Sequence, residues 1–139
     1  MLCLPFLAML LLSAGNIPSA TNEFRQQKTI TIQVDEKGEV RIDRVKIQRE
    51  RLANELEQRL WRGYMSNSIM AKNIQLVVEG SPNPALEQEL KEAIKKGQER
   101  TLAMLSLQKY RKRFEDIGTS KQERLKKQFP VLFQEVEPV

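Results

Sequence analysis

Lys28–Tyr64 reads KTITIQVDEKGEVRIDRVKIQRERLANELEQRLWRGY, and the periodicity of this stretch decides the fold. Ile30, Ile32 and Val34 alternate with Thr29, Thr31 and Gln33, so a pleated strand here has one apolar and one polar face. Asp35-Glu36-Lys37-Gly38 follows, a polar run ending in a glycine that can take positive φ, which is the chemistry of a short hairpin loop. Val40 and Ile42 resume the alternation on a return strand. The period then lengthens to that of a helix, with Leu52, Leu56 and Leu60 on one face and Ala53 and Trp61 beside them. A two-stranded hairpin is marginal in water, so the helix must pack on the sheet. The unit is a scaffold, with no concentration of catalytic residue types.

Downstream, a small and polar loop from Met65 to Asn73 leads to NIQLVVE (Asn73 to Glu79). Its unbroken Leu76-Val77-Val78 run predicts a central strand covered on at least one side. Gly80-Ser81-Pro82-Asn83-Pro84 breaks the chain and opens a second helix, with Asn83 as N-cap and Pro84 at the first helical position. Leu86, Leu90 and Ile94 run down one face toward Thr101, Leu102 and Leu105. Glu87 with Lys91 and Glu92 with Lys96 have the spacing of outer-face ion pairs. Gly97 weakens this helix by about 1 kcal/mol relative to Ala and marks a bend or a close approach. The helix is expected to reach Phe114, its second half projecting from the sheet layer. Ser120 and Glu123 have the spacing of a capping box for a short last helix stopped by Pro130, and VLFQEVEPV then alternates as if extended against the body. The expected fold is α+β: a small sheet of hairpin plus central strand, two helices packed on it, and a helical C-terminal extension. The expected divisions are an N-terminal apolar segment over 1–20, a tether over 21–27, the α+β domain over 28–107 and a basic extension over 108–139.

The 139-residue chain carries a formal charge of +5, and Gln108–Gln128 alone holds eight Lys or Arg against three acids. Lys109, Arg111, Lys112, Arg113, Lys126 and Lys127 are therefore the candidate partner-binding residues, facing anionic lipid, nucleic acid or an acidic protein, unless they only solvate a helix. There is no histidine, and Cys3 is the only cysteine, so a His/Cys zinc site, a histidine-based catalytic pair and an internal disulfide are all excluded. No catalytic, cofactor or metal residue is assigned, and an enzyme is not expected. Asp35-Glu36 sits in a turn, where Asp satisfies its own backbone. Glu79–Pro84 is a candidate anion position at a helix N-terminus but lacks the glycines of a phosphate loop. Tyr110 and Phe114 interleave too sparsely with the basic run, and without any recognised motif, to predict nucleic-acid binding.

Met1–Leu12 (MLCLPFLAMLLL) is apolar throughout. It is shorter than the ~20 residues of a membrane span, and no Lys or Arg precedes it. An uncleaved anchor, a signal peptide cut near Ser13-Ala14-Gly15, and the end of a longer anchor all fit. Each places the domain after it outside the cytoplasm.

Two strands joined by a DxxG-type turn, then helix, strand and helix after an apolar segment, resemble the ExbD/TolR family of biopolymer transport proteins. The residues carrying the resemblance are TITIQVDEKGEVRIDRVKI, RERLANELEQRL and NIQLVVEG. The C-terminal KKGQERTLAMLSLQKYRKRFEDI and the ending through Pro130 to Pro138 look like the extended tail of a Bacteroidetes-type subgroup of that family. The resemblance implies a single-pass inner-membrane subunit with a periplasmic domain, a homodimer within a proton-driven complex. Its implied partners are a multi-span ExbB/TolQ-like subunit and a TonB- or TolA-like protein. Cleavage of the N-terminal segment would instead release it to the periplasm. The family's proton-responsive Asp lies in a P-x-x-D setting within the membrane, and the matching run here is Pro5-Phe6-Leu7-Ala8. Ala8 stands where the Asp should be, so either Met1 is not the true start or the proton-handling step has been lost. The family's tyrosine after the third strand is also missing from Ser81–Glu87.

Overall fold

A computed structural model describes residues 29–67, 69–80 and 83–139, so the apolar segment, Ala8 and the tether lie outside the described residues. The expected hairpin forms from β1 (Thr29–Val34) and β2 (Val40–Ile42), paired antiparallel with Ile32 opposite Ile42. Gly38 takes φ +82° in the turn, as the DEKG run requires. The chain does not pass directly from β2 into the helix. A second turn at Asp43 and Arg44, both at positive φ (47° and 73°), brings back β3 (Val45–Ile47) against β2. Such left-handed two-residue turns favour Asn-Gly, and Asp-Arg in their place hid this one. Asp43 holds it by donating its backbone N–H to the Thr31 carbonyl at 2.8 Å, while its Oδ1 accepts from the Thr31 N–H at 2.9 Å. Arg59 reaches the same carboxylate at 3.3 Å.

A short 3-10 turn leads into α1 (Leu52–Asn67), followed by β4 (Asn73–Val78), which pairs parallel with β1 from Thr29–Asn73 through Val34–Val78. The mixed sheet therefore runs β3-β2-β1-β4, so β4 is an edge strand and not the central one expected, its apolar run being covered by the helices and the C-terminal residues instead of by a further strand. Its alternation buries Ile30, Ile32, Val34, Val40, Ile42, Ile74 and Leu76 in one core with Leu52, Leu56 and Leu60 of α1 and Leu90 and Ile94 of the next helix. Thr29, Thr31 and Gln33 on the other face stay half-buried and Arg41 is exposed. The α+β class follows from these elements.

The second helix, α2 (Pro84–Tyr110), starts as expected, with the Asn83 side chain accepting from the Ala85 N–H at 3.0 Å and Pro84 in the first turn. A Cβ on Gly97 would stand 3.0 Å from the Ala53 carbonyl and 3.1 Å from the Leu56 side chain. The glycine therefore marks a close crossing of α1 and α2, and the cost of its flexibility is offset by that approach. α2 stops at Tyr110 rather than Phe114, because Arg111 turns left-handed at φ 56° and closes the helix on the Leu107 carbonyl. Ser106 Oγ donates to the Lys112 carbonyl at 2.8 Å, fixing the reversal.

The second half of α2 does not project. Gln98, Thr101, Leu105 and Ser106 are buried, covered by the C-terminal residues. The cover consists of α3 (Thr119–Gln128), a 3-10 turn over Pro130–Phe133 and the final extended residues. Leu125, Phe129, Val131, Leu132 and Val136 join the same core as the sheet residues. The residues of the C-terminal extension thus share their apolar interior with residues 29–107. Ser120 and Glu123 make no capping box. α3 begins two residues earlier than that cap would place it, behind Gly118 and without a side-chain cap, and Glu123 turns to Lys126 at 3.4 Å. Nor do the two expected pairs on α2 close: Lys91 reaches Glu137 at 2.8 Å, and Glu92 accepts from Gln88 at 3.2 Å.

Candidate functional site

The basic residues of 108–128 gather on the corner made by the end of α2, the turn at Arg111 and α3. Sequence chemistry shapes this corner. The left-handed Arg111 reverses the chain, Phe114 packs on Phe133 with ring centroids 5.7 Å apart, and Gln122 Nε2 donates to the Phe114 carbonyl at 2.8 Å. Tyr64 closes the other side, 5.6 Å from Trp61 and edge-on to Phe129 at 5.6 Å. The aromatic residues thus serve the packing of the corner, with the cations outside them.

Those cations are not equivalent. Lys109 donates to Gln128 Oε1 at 3.2 Å, with its ammonium 5.4 Å from the Phe129 ring centre. Lys126 lies 5.9 Å over Phe133 and pairs with Glu123, and Arg113 pairs with Asp116 at 3.8 Å. Lys121, not singled out from sequence, sits 5.1 Å over Tyr110. Each exposed contact of this kind contributes ~0.5–1 kcal/mol at most, enough to bias the side chain toward the body. Arg111, Lys112 and Lys127 are exposed and form no ion pair among the described residues. Of the six candidates, these three present uncompensated charge.

The other sequence positions have local duties. Asp35 Oδ1 accepts from the Lys37 and Glu39 N–H groups at 2.9 Å each, and the Glu39 bond foremost holds its carboxyl below the usual carboxylate range. It is a turn-forming group. Asn83 is occupied in capping α2, and Gly80 at φ 76° sits so close to Glu36 that a Cβ would meet its Cγ at 2.8 Å. Among the described residues, no cluster of His, Cys, Asp or Glu is placed to hold a metal ion, and no helix is long and apolar enough to cross a membrane.

A buried glutamine network escaped the sequence. Gln98 is 4% exposed, and its Nε2 donates to the Val131 carbonyl at 2.7 Å and the Gln134 carbonyl at 2.9 Å. Gln134 in turn pairs with both backbone groups of Ile74 at 2.9 Å each, standing in for a neighbouring strand. Val139 N–H then donates to the Leu76 carbonyl at 2.9 Å. The tail thereby covers the outer edge of β4, while a cleft of about 670 Å³ remains between it and α2. Lys91 bridges this cleft to Glu137, whose hydrogen bond raises the lysine pKa above its ordinary value. A glutamine placed between Ile94 and Thr101 on the apolar stripe was the available signal. Its partners lie more than thirty residues away and could not be read from spacing.

No family model, curated protein or solved structure matches this chain.

Proposed function

We propose that the chain is a non-enzymatic subunit of a proton-motive-force-coupled inner-membrane complex, serving biopolymer or TonB-dependent transport through partner contacts of its folded domain. The observation that carries the binding part of this reading is the set of unpaired cations Arg111, Lys112 and Lys127 on a corner fixed by buried Leu125 and Phe129. A rigid element presenting uncompensated charge suits recognition of an acidic surface. The finer assignment rests on the resemblance of the β1–turn–β2, α1 and β4 segments to ExbD/TolR proteins, with β3 inserted between β2 and α1. On this reading Met1–Leu12 belongs to a membrane anchor. The domain lies in the periplasm as a homodimer, and the partners are an ExbB/TolQ-like subunit and a TonB- or TolA-like protein.

A second reading is favoured by Ala8, because an alanine binds no proton. A secreted or periplasmic module, free of its anchor, would use the same basic corner against an anionic partner. Fractionation separates the two. The anchored subunit stays in the membrane pellet through high-pH carbonate extraction, and recovery of the whole population in the supernatant would refute it.

A further inference from the structure

The sheet register sorts the molecule into two ends. Thr29, where β1 begins, pairs with Asn73 at the start of β4. α1 and α2 run side by side in one direction, since Gly97 lies against Ala53 and Gln108 against Met65 at 3.8 Å. Both helices finish at the Thr29 end, because α1 leads straight into the loop before Asn73. α3 sits there too, as Phe129 behind it packs on Tyr64 and Gln134 on Ile74. Charge follows the same division. The Thr29 end, made by 43–44, 58–67, 69–73 and 108–128, holds twelve Lys or Arg against four acids. The opposite end, made by 35–39, 48–57, 79–80 and 83–92, holds four against ten. Apolar exposure is concentrated with the cations. Met65 (56% exposed), Ile69 (67%) and Leu107 (50%) make up three of the five exposed large apolar side chains among the described residues.

Thr29 is also the point at which the chain comes in from the apolar segment over 1–20. We infer that this end of the domain docks on a bilayer of anionic phospholipid. Arg111, Lys112 and Lys127 meet the headgroup phosphates, and Met65 and Ile69 enter the layer between them. The inference rests on the proposed anchor within 1–20 and names the acidic surface that the basic corner recognises. The residues from 21 to 28 reach at most ~29 Å when fully extended. α2 alone is about 40 Å long, so its acidic start lies beyond that reach while the basic end needs little of it. An acidic protein surface would account for the cations, but not for exposed Met65 and Ile69 beside the chain's point of entry. A layer of charged headgroups over acyl chains takes both. Each cation within a Debye length, ~8 Å, of such a surface strengthens docking by about fivefold. A partner embedded in the same membrane would be met on this side of the domain.

The test uses the full chain reconstituted into vesicles, with Cys3→Ser and Ile69→Cys carrying a fluorescent dye. Vesicles of phosphatidylcholine alone are compared with vesicles containing about one-third phosphatidylglycerol, both doped with a lipid spin-labelled at its headgroup as quencher. Quenching at position 69 should be at least about threefold stronger in the anionic vesicles. It should fall to the zwitterionic level in about 0.5 M salt, or when Arg111→Glu, Lys112→Glu and Lys127→Glu are added. The same dye at Lys37→Cys, in the turn at the opposite end, should stay unquenched in both. Melting curves matching the parent establish that the variants are folded. Equal quenching in the two vesicles, indifference to charge reversal, quenching alike at both ends, or shielding of position 69 only when another protein is added would each overturn the inference. A chain that does not enter the vesicles refutes the anchor. The dye is then read on that soluble chain mixed with the same vesicles, where charge-dependent quenching supports docking and its absence overturns it, so the two proposals fail separately.

Discussion

Arg111 adopts φ 56° at the end of α2, a conformation that glycine takes freely and other residues at a cost of ~1 kcal/mol. The exchange of Arg111→Gly should stabilise the fold by about 0.5–1 kcal/mol, raising Tm by a few degrees, whereas Arg111→Val should lower it. Thermal melts of the two variants check this. Asp35 offers a pH-dependent counterpart. Its carboxyl is held below the ordinary range, so its contribution is present above the unfolded carboxylate value and disappears as pH falls through the depressed folded value. The stability gap between the chain and Asp35→Asn should be level above about pH 5 and close in stronger acid. Denaturant titrations across that range would show it. Lys91 has the opposite sign: its pairing with Glu137 persists through neutral pH and is lost only as alkali exceeds the raised folded value.

At the scale of elements, β1, β2, α1, β4 and the start of α2 were legible because period, turn glycine and Asn-Pro cap are all local signals. β3 was not, since its turn lacks glycine and three residues give no period. The burial of α2's second half was equally hidden, because it depends on Val131, Leu132 and the Gln98–Gln134 clamp reaching back across the chain. The basic corner could be located by charge counting, but the division between Lys109 or Lys126, held over rings, and Arg111, Lys112 and Lys127 needed coordinates. The clamp makes a sharp prediction. The Ile74 amide is protected by a side chain alone, so Gln134→Leu should speed its hydrogen exchange at least tenfold while leaving Ile32 and Leu56 protected. Removing the paired amide leaves Ile74's backbone unmatched, costing about 1–3 kcal/mol. Equal acceleration at all three amides would mean that the tail and sheet open together.

For the whole molecule, a sheet with one covered β4 edge, two crossing helices and a packed tail forms a body that can hold charge in fixed places. Its packing holds Arg111, Lys112 and Lys127 outward at one corner, and the proposed recognition role rests on that cationic corner. The most direct test of that account is photo-crosslinking from position 112, with a photoreactive residue replacing Lys112 in the full chain in energised cells. An adduct with a membrane-embedded multi-span protein or a TonB/TolA-like protein is expected, its yield changing several-fold when an uncoupler collapses the proton gradient. Adducts confined to a soluble anionic partner, and unchanged by the uncoupler, would contradict it.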